Sequence, residues 1–482
     1  MTAPTVLSGR RTAVFEEPEE FSGAVLARVL YGLRGDDRTA AISRRVVQDA
    51  LLAATLQKAR ASSAFYRERL AHLEIRSGFA ALADAPPLTR SEAVANQDRL
   101  LAEDVELAFM SHTTGTTTGE YFEVFRSREE QRFIVEFFAT WGALDEASAA
   151  GGPKPLTLSL PIQHHGTPVG VPVPGHVFIG GVTDDHLIRD TMRLLSSRFS
   201  IPRHRDRITI ISAPLYCLHF LTSYLHEQGF PFPEHPMDAL FTYGQLVTPA
   251  LRRYLEDAWG TRLVDRYSLT EVFGGATSCV HCGGYHFDDW VVPELADPRG
   301  GAAPALDGPG RLLVTGLYPW TQAQPMIRYD TGDVFEPVSC SAHTAGFRFR
   351  GRVRNCAFVL EAGRAVLAFS AADAYALLDD LPDIARGQWF VGVTTRDRTP
   401  GSLMKLKIDV DSGPPVRVAI LAELRYSPHL FPDRAAEVEA LALGRLRQHH
   451  PNLARLIGAG QIELSVAVVG PGTLAQPHAQ KI

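Results

Sequence analysis

The chain has 482 residues, 45% of them hydrophobic and 21% charged, which is enough apolar sequence to bury the cores of roughly two to four domains and too much for a disordered chain. Lysine plus arginine (48) against aspartate plus glutamate (54) gives a net charge of −6 with no long run of one sign, which argues against a nucleic-acid or polybasic membrane partner. Five cysteines among 482 residues exclude a disulfide scaffold.

Residues 1–15 show no basic start followed by an apolar run, so neither a signal peptide nor a transit peptide is expected. The most apolar stretch, residues 208–225, is interrupted by Ser212, Pro214, His219 and Ser223 and does not read as a membrane span. The expectation is a soluble protein of the cytoplasm.

Residues 46–70 carry Val47, Leu51, Leu52, Leu56, Ala59 and Phe65 at helical spacing among Arg, Lys and Gln, which predicts a helix. Pro86-Pro87 breaks the pattern, and Thr89 with Glu92 three residues on forms a capping box for the next helix. From residue 107 to 334 short β-rich runs (156–160, 207–212, 262–264, 312–315) alternate with helical segments. That alternation predicts α/β layers around a largely parallel or mixed sheet. Residues 355–482 have their own set: a strand at 357–360, a helix at 371–378, strands near 389–395 and 403–410, a helix at 434–448 and a strand at 462–469. This predicts a small α+β domain. The expected division is 1–352 and 353–482.

The most unusual segment is Ser111-His112-Thr113-Thr114-Gly115-Thr116-Thr117-Thr118-Gly119-Glu120. Glycines let a backbone turn sharply and present N–H groups, and hydroxyls donate to anionic oxygens, so such a loop can wrap phosphates; a plain Thr-rich turn is the alternative. No Gly-Lys-Ser or Gly-Lys-Thr follows, so it is not a Walker A loop. Further on stand Asp265-Arg266-Tyr267-Ser268-Leu269-Thr270-Glu271, then Pro325-Met326-Ile327-Arg328-Tyr329-Asp330-Thr331-Gly332-Asp333, then Gly351-Arg352, and last Gly472-Thr473-Leu474 ahead of Lys481.

In their order and spacing these pieces resemble the adenylate-forming, acyl-CoA synthetase-like superfamily, and within it the phenylacetate-CoA ligase-like branch. The resemblance runs from Ser63-Ala64-Phe65-Tyr66-Arg67 to Lys481. It implies a large N-terminal adenylation domain with layered α/β sheets plus a small mobile α+β C-terminal domain. It also implies ATP and Mg2+ as cofactors. Thr113, Thr114, Gly115, Thr116, Thr117, Thr118 and Gly119 would be the phosphate loop. Tyr267, Ser268, Thr270 and Glu271 would hold the adenine and Mg2+, Asp333 the ribose hydroxyls, and Arg352 the hinge. Lys481 would be the mobile lysine that reaches the reacting carboxylate. The chemistry fits: a carboxylate must approach an anionic nucleotide, which calls for a metal, hydroxyl and N–H donors, and one placed cation.

The acyl wall of relatives corresponds to His164, His165 and Gly166 together with Pro174 and Gly175, and Gly244 stands near the acyl pocket. His, Gly and Pro in apolar company suit a flat, polar-substituted ring. Asp184 and Asp185 read either as a base for an incoming amine or as acids at a helix start. The phosphate loop departs from the family by an extra Thr and by Glu120 and Tyr121 where Lys and Pro are common. Gln245 follows Gly244 where Glu is usual, and Ser268 follows Tyr267 where Gly is usual. Residues 475–480 hold no Lys or Arg, whereas relatives carry basic residues there.

Cys279-x-x-Cys282-x-x-x-His286 has chelate spacing, and Cys340-x-x-His343 offers a second pair. Cys279, Cys282, His286 and Cys340, with His343 as a substitute, are the expected ligands of a structural zinc; buried thiols and surface histidines are the alternative. The expected function is ATP-dependent activation of a carboxylic acid, aromatic by preference, as acyl-AMP with release of pyrophosphate. The acyl group would pass to an amine, slightly favoured, or to CoA. Two other readings stay open: a diazotase that activates nitrite for an aromatic amine, and a degenerate zinc-containing binding protein.

Overall fold

The computed structural model describes residues 38–113, 122–141, 152–160, 176–178, 182, 185–234, 237–300, 308–341, 346–387, 403–450 and 452–474. The first described elements are helix α1 (Arg38–Ser62) and the short α2 (Ala64–Arg69), which bury Leu51, Leu52, Leu56, Ala59, Phe65 and Tyr66. Ser63 divides the expected single helix by taking an extended conformation and capping α2 through its side chain. Helix α3 (Gly78–Asp84) leads to α4 (Arg90–Ala95), whose capping box is formed as expected, with both the Thr89 and Glu92 side chains engaged. Helix α5 (Gln97–Leu100) then hands the chain to an antiparallel hairpin, β1 (Leu107–His112) with β2 (Glu123–Ser127), followed by α6 (Arg128–Trp141).

Among the described residues the main sheet has 11 strands. Its first half is parallel: β3 (Lys154–Ser159) lies between β4 (His176–Phe178) and β5 (His204–Pro214), and β6 (Ala239–Tyr243) and β7 (Leu263–Ser268) follow. Helices α7 (Asp185–Ser196), α8 (Leu215–Glu227) and α9 (Pro249–Trp259) make the crossovers. They bury Leu156, Leu158, Ile211, Leu218, Leu221, Leu240, Leu255 and Leu263.

The second half is antiparallel. It runs through β8 (Gly275–Ser278), β9 (Tyr285–Phe287), β10 (Val291–Ala296), β11 (Gly310–Gly316), β12 (Tyr329–Val338) and β13 (Gly346–Arg352) in the spatial order β7-β8-β9-β13-β12-β11-β10. The sheet is therefore mixed, within the sequence expectation. Gly275 shows why the turn into this half needs glycine: at φ +155 a Cβ there would lie 2.0 Å from the Tyr267 carbonyl oxygen.

Beyond Arg352 a 3-10 turn (Val353–Asn355) leads to the hairpin β14 (Ala357–Glu361) and β15 (Arg364–Phe369), then α10 (Ala371–Leu378). The short pair β16 (Arg386–Gly387) and β17 (Leu403–Met404) precedes a three-stranded sheet of β18 (Leu406–Asp411), β19 (Val416–Glu423) and β20 (Ile462–Val469). Helices α11 (Pro432–His449) and α12 (Leu453–Gly458) cover that sheet. Residues 357–466 supply a separate core around Phe369, Leu378, Ile420 and Leu446, and Leu246 packs against it from the N-terminal part. The strand expected near 389–395 lies outside the described residues. None of the described helices is long and apolar enough to cross a membrane.

Candidate active site and metal centre

Ligands of parallel α/β sheets gather where strands present their C-terminal ends. Here β7 ends at Ser268 and runs on through Leu269 and Thr270 to Glu271, while β6 ends beside Gly244, which sits at φ +87. The Tyr267 ring on β7 packs edge-on to Phe335 at 5.0 Å between centroids, and its hydroxyl donates to Asp333 Oδ2 at 2.7 Å. Burial, then the Asp333 carboxylate, pushes the Tyr267 phenol well above its ordinary range, so it remains a donor.

Asp333 and Arg352 are directly opposed on β12 and β13, and Arg352 Nε meets Asp333 Oδ1 at 3.0 Å. Burial would lower the Arg352 guanidinium, but Asp333, Tyr267, Glu271 and Tyr329 outweigh it and raise it. The turn that presents Asp333 depends on Gly332 at φ +71, where a Cβ would come 3.3 Å from Arg352 Nη1.

Glu271 is only 8% exposed. Its Oε1 accepts from Arg90 Nη1 at 2.8 Å and from the Tyr329 hydroxyl at 2.9 Å. Arg90 Nη2 also donates to Thr113 Oγ1 at 2.7 Å, and Thr113 accepts from the Phe122 backbone at 3.1 Å. The Thr270 carbonyl accepts from the buried Arg126 at 2.9 Å. A carboxylate at this edge is the hard oxygen donor that Mg2+ takes, beside hydroxyls that suit phosphate oxygens.

Thus Thr113, Tyr267, Thr270, Glu271, Asp333 and Arg352 gather at one edge, with Ser268 and Gly244 at neighbouring strand ends. Thr114, Gly115, Thr116, Thr117, Thr118, Gly119, His164, His165, Gly166, Pro174, Gly175, Asp184 and Lys481 lie outside the described residues. Asp185 is the first residue of α7. Arg90 and Arg126 are additions that motif reading misses, and Tyr329, which stands within the 325–333 string, gains a partner in Glu271 that the string does not announce. Arg90 follows the Thr89 cap, a local signal for a helix start that says nothing of a partner 181 residues away.

The cysteine cluster forms at the other end of these strands. The β8–β9 connection turns tightly: Cys279 N donates to Gly284 O at 2.7 Å and Gly283 N to Cys279 O at 3.0 Å. Because β13 pairs with β9 as well as β12, the segment after Val338 is carried beside that turn. One ligand atom from each of Cys279, Cys282, His286 and Cys340 lies within 4.8 Å of every other. Cys279 and Cys340 Sγ are 3.8 Å apart, and Cys282 Sγ and His286 Nε2 are 3.6 Å apart.

A tetrahedral zinc with ordinary Zn–S and Zn–N bonds requires edges of about 3.8 Å and about 3.6 Å, so the donors fit that ion in type and spacing. Gly346 keeps the cluster tight, since a Cβ there would lie 3.0 Å from Cys282 Sγ. His343 lies outside the described residues.

No protein-family model matches the sequence, and no curated protein matches it. Solved structures do. The fold is similar to a 2-hydroxyisobutyryl-CoA ligase in the postadenylation state in complex with R3-HIB-AMP, at 14% identity and a TM-score of 0.58, covering 95% of this chain and 89% of that chain. An open conformation of such a ligase with 2-HIB-AMP and CoA matches at 16% identity and TM-score 0.56, over 89% of this chain and 88% of that chain. The thioesterification state with 2-HIB-AMP and CoA matches at 16% identity and TM-score 0.51, over 92% and 90%. At these identities the likeness is one of fold, and it extends through both the main sheet and the C-terminal part.

Proposed function

We propose that the chain is an ATP-dependent adenylate-forming ligase, which joins a carboxylic acid to AMP with release of pyrophosphate and then passes the acyl group to an acceptor. The observation that carries this reading is the convergence of Thr113, Glu271, Tyr267, Asp333 and Arg352 on one sheet edge, in a fold similar to a ligase crystallised with an acyl adenylate. Asp333 would accept from a ribose diol, and the hydroxyl run beginning at Thr113 would donate to phosphate oxygens. Mg2+ would supply neutralisation of the polyphosphate, and Glu271 is the carboxylate present to ligate it. Lys481 would bring a cation to the carboxylate under attack, delivered by rotation of residues 353–482 about the segment 352–355.

CoA is the acceptor that the neighbours favour, since two were crystallised with it. An amine is favoured by one sequence feature, the absence of Lys and Arg from residues 475–480, because CoA phosphates call for cations. The cysteine cluster would hold a structural zinc: four protein donors close the coordination sphere and leave no place for substrate.

The test is pyrophosphate release from MgATP across aromatic and short aliphatic acids, each with CoA, with simple amines, or with neither. Release that depends on one acid and falls at least about a hundredfold in Lys481→Ala is expected. Tight ATP binding with no acid-dependent release across the panel counts against the reading. The acceptor that accelerates turnover separates thioester from amide formation.

A further inference from the structure

The run from Ser111 to Gly119 contains no lysine or arginine and is followed by an acid, Glu120. A polyphosphate keeps net negative charge even with one divalent ion bound, so a loop without cations needs charge brought from another element. Among the described residues, Arg90 is placed to bring it. Its guanidinium spans two partners that are far apart in sequence, Thr113 Oγ1 at 2.7 Å and Glu271 Oε1 at 2.8 Å. Its side chain keeps 24% exposure, so the charge is not sealed into the core.

Its placement is over-determined. The Leu88 N–H donates to Arg328 O at 2.9 Å, and the Asp330 N–H returns to Leu88 O at 2.8 Å, which fixes the residues before Arg90 against the start of β12. The capping box then sets the first turn of α4, and Glu92 is tied to Arg69 at 3.1 Å. A planar fork held this way suits bidentate phosphate contact better than a flexible ammonium.

We infer that Arg90 is the cation that this site sets against the polyphosphate of MgATP, shared with Glu271 when no nucleotide is bound. This rests on the nucleotide-binding reading proposed above. On arrival of the polyphosphate the guanidinium turns part of its donor set from Glu271 to phosphate oxygens, and the carboxylate is freed to act as a metal ligand. The alternative, that Arg90 only neutralises and positions the Glu271 carboxylate, makes a different prediction, because an effect passed through a metal ligand vanishes when the metal is withheld, whereas a cation facing phosphate oxygens acts on pyrophosphate with or without it.

The experiment is calorimetric titration of the full chain with MgATP, magnesium pyrophosphate and AMP, the pyrophosphate titration repeated in EDTA, for wild type, Arg90→Gln and Arg90→Lys, with melting curves to establish folding. Arg90→Gln is expected to weaken MgATP and magnesium pyrophosphate by about tenfold or more while AMP moves less than about twofold. Arg90→Lys should recover part of the loss. Should Arg90→Gln not fold, Arg90→Lys carries the test with a smaller loss confined to the two polyphosphate probes. A loss for pyrophosphate that disappears in EDTA, equal weakening of AMP and pyrophosphate, or no change in either, overturns the role of Arg90 and leaves the nucleotide site standing. A wild type that binds neither ATP nor AMP overturns the nucleotide reading itself.

Discussion

The Tyr267 hydroxyl donates to Asp333 Oδ2 at 2.7 Å, while the other oxygen of the same carboxylate faces Arg352 Nε at 3.0 Å. The carboxylate is thus oriented from both sides by protein groups alone. Asp333→Asn keeps the shape but removes the charge opposite Arg352. It should weaken AMP by about tenfold and leave magnesium pyrophosphate within about twofold, the reverse of the Arg90 pattern. Tyr267→Phe keeps the aromatic packing and removes one donor, at a cost of about 1–2 kcal/mol in stability. Calorimetry and denaturant melts check both, and an AMP affinity indifferent to Asp333→Asn would remove Asp333 from the nucleotide site.

The cysteine cluster predicts about one zinc per chain in protein purified without chelator, and loss of it in Cys340→Ser. The melting temperature should fall by more than about 5 °C on metal removal, because a zinc held by these four donors would join the β8–β9 turn to the segment after β12. Nucleotide affinity should barely move. Extended chain from Asp333 to Val338 covers about 16 Å, and Cys340 lies beyond it, so the cysteine cluster sits at the far end from the site. Elemental analysis with no bound metal, or a Cys340→Ser variant as stable as wild type, would defeat the zinc reading.

Local signals were legible where the residues that make an element also mark its ends. Helix α10 has the expected bounds because Ser370 caps it through its side chain onto Asp373 N. Strand β20 likewise has the expected bounds, as its inward positions Ile462, Leu464 and Val466 alternate with exposed neighbours. The division of the first helix at Ser63 was not legible, since the apolar spacing continues through Phe65 while the backbone does not. At the site, Glu271 and Asp333 stand within recognisable strings. The union of Arg90 with Glu271 does not, because it depends on the Leu88 pairing with β12, a tertiary contact with no local pattern.

His219 offers a pH test. It lies on α8, is 9% exposed, meets the Tyr254 ring at 5.8 Å, and is pushed down to about 4 by burial and then by Arg386 from the C-terminal part. The folded state favours neutral imidazole, so this contribution is fully present above about pH 6.5 and is lost as pH falls through about 4. Asp265, raised to about 6 mainly by burial, works with the opposite sign: its contribution is present at low pH and lost as pH rises through about 6. That effect is common to both proteins in a comparison of wild type with His219→Gln. The stability difference between them should therefore shift against wild type on acidification from pH 6.5 to 4, by on the order of 3 kcal/mol. A difference independent of pH would show that His219 is not held neutral.

Lys405 and Glu423 form a buried pair that reaches the C-terminal segment. Lys405 Nζ donates to Glu423 Oε1 at 2.7 Å, and Glu423 Oε2 accepts from Leu474 N at 2.8 Å. Burial pushes the Glu423 carboxyl up, but Lys405 and the Leu474 and Gly472 amides outweigh it and hold the carboxyl below its ordinary value. This contribution is present above the ordinary glutamate range and is lost as pH falls below it. Because the side chains are 10% and 3% exposed, removing one partner strands the other, and Lys405→Met should cost about 3 kcal/mol. Glu423→Ala has a second consequence that Lys405→Met does not share to the same degree, since it also removes the acceptor for Leu474. The Leu474 amide should exchange with solvent at least about tenfold faster in Glu423→Ala than in Lys405→Met. If both variants protect that amide equally, the carboxylate is a partner for Lys405 alone, and the Leu474 amide is held by other contacts.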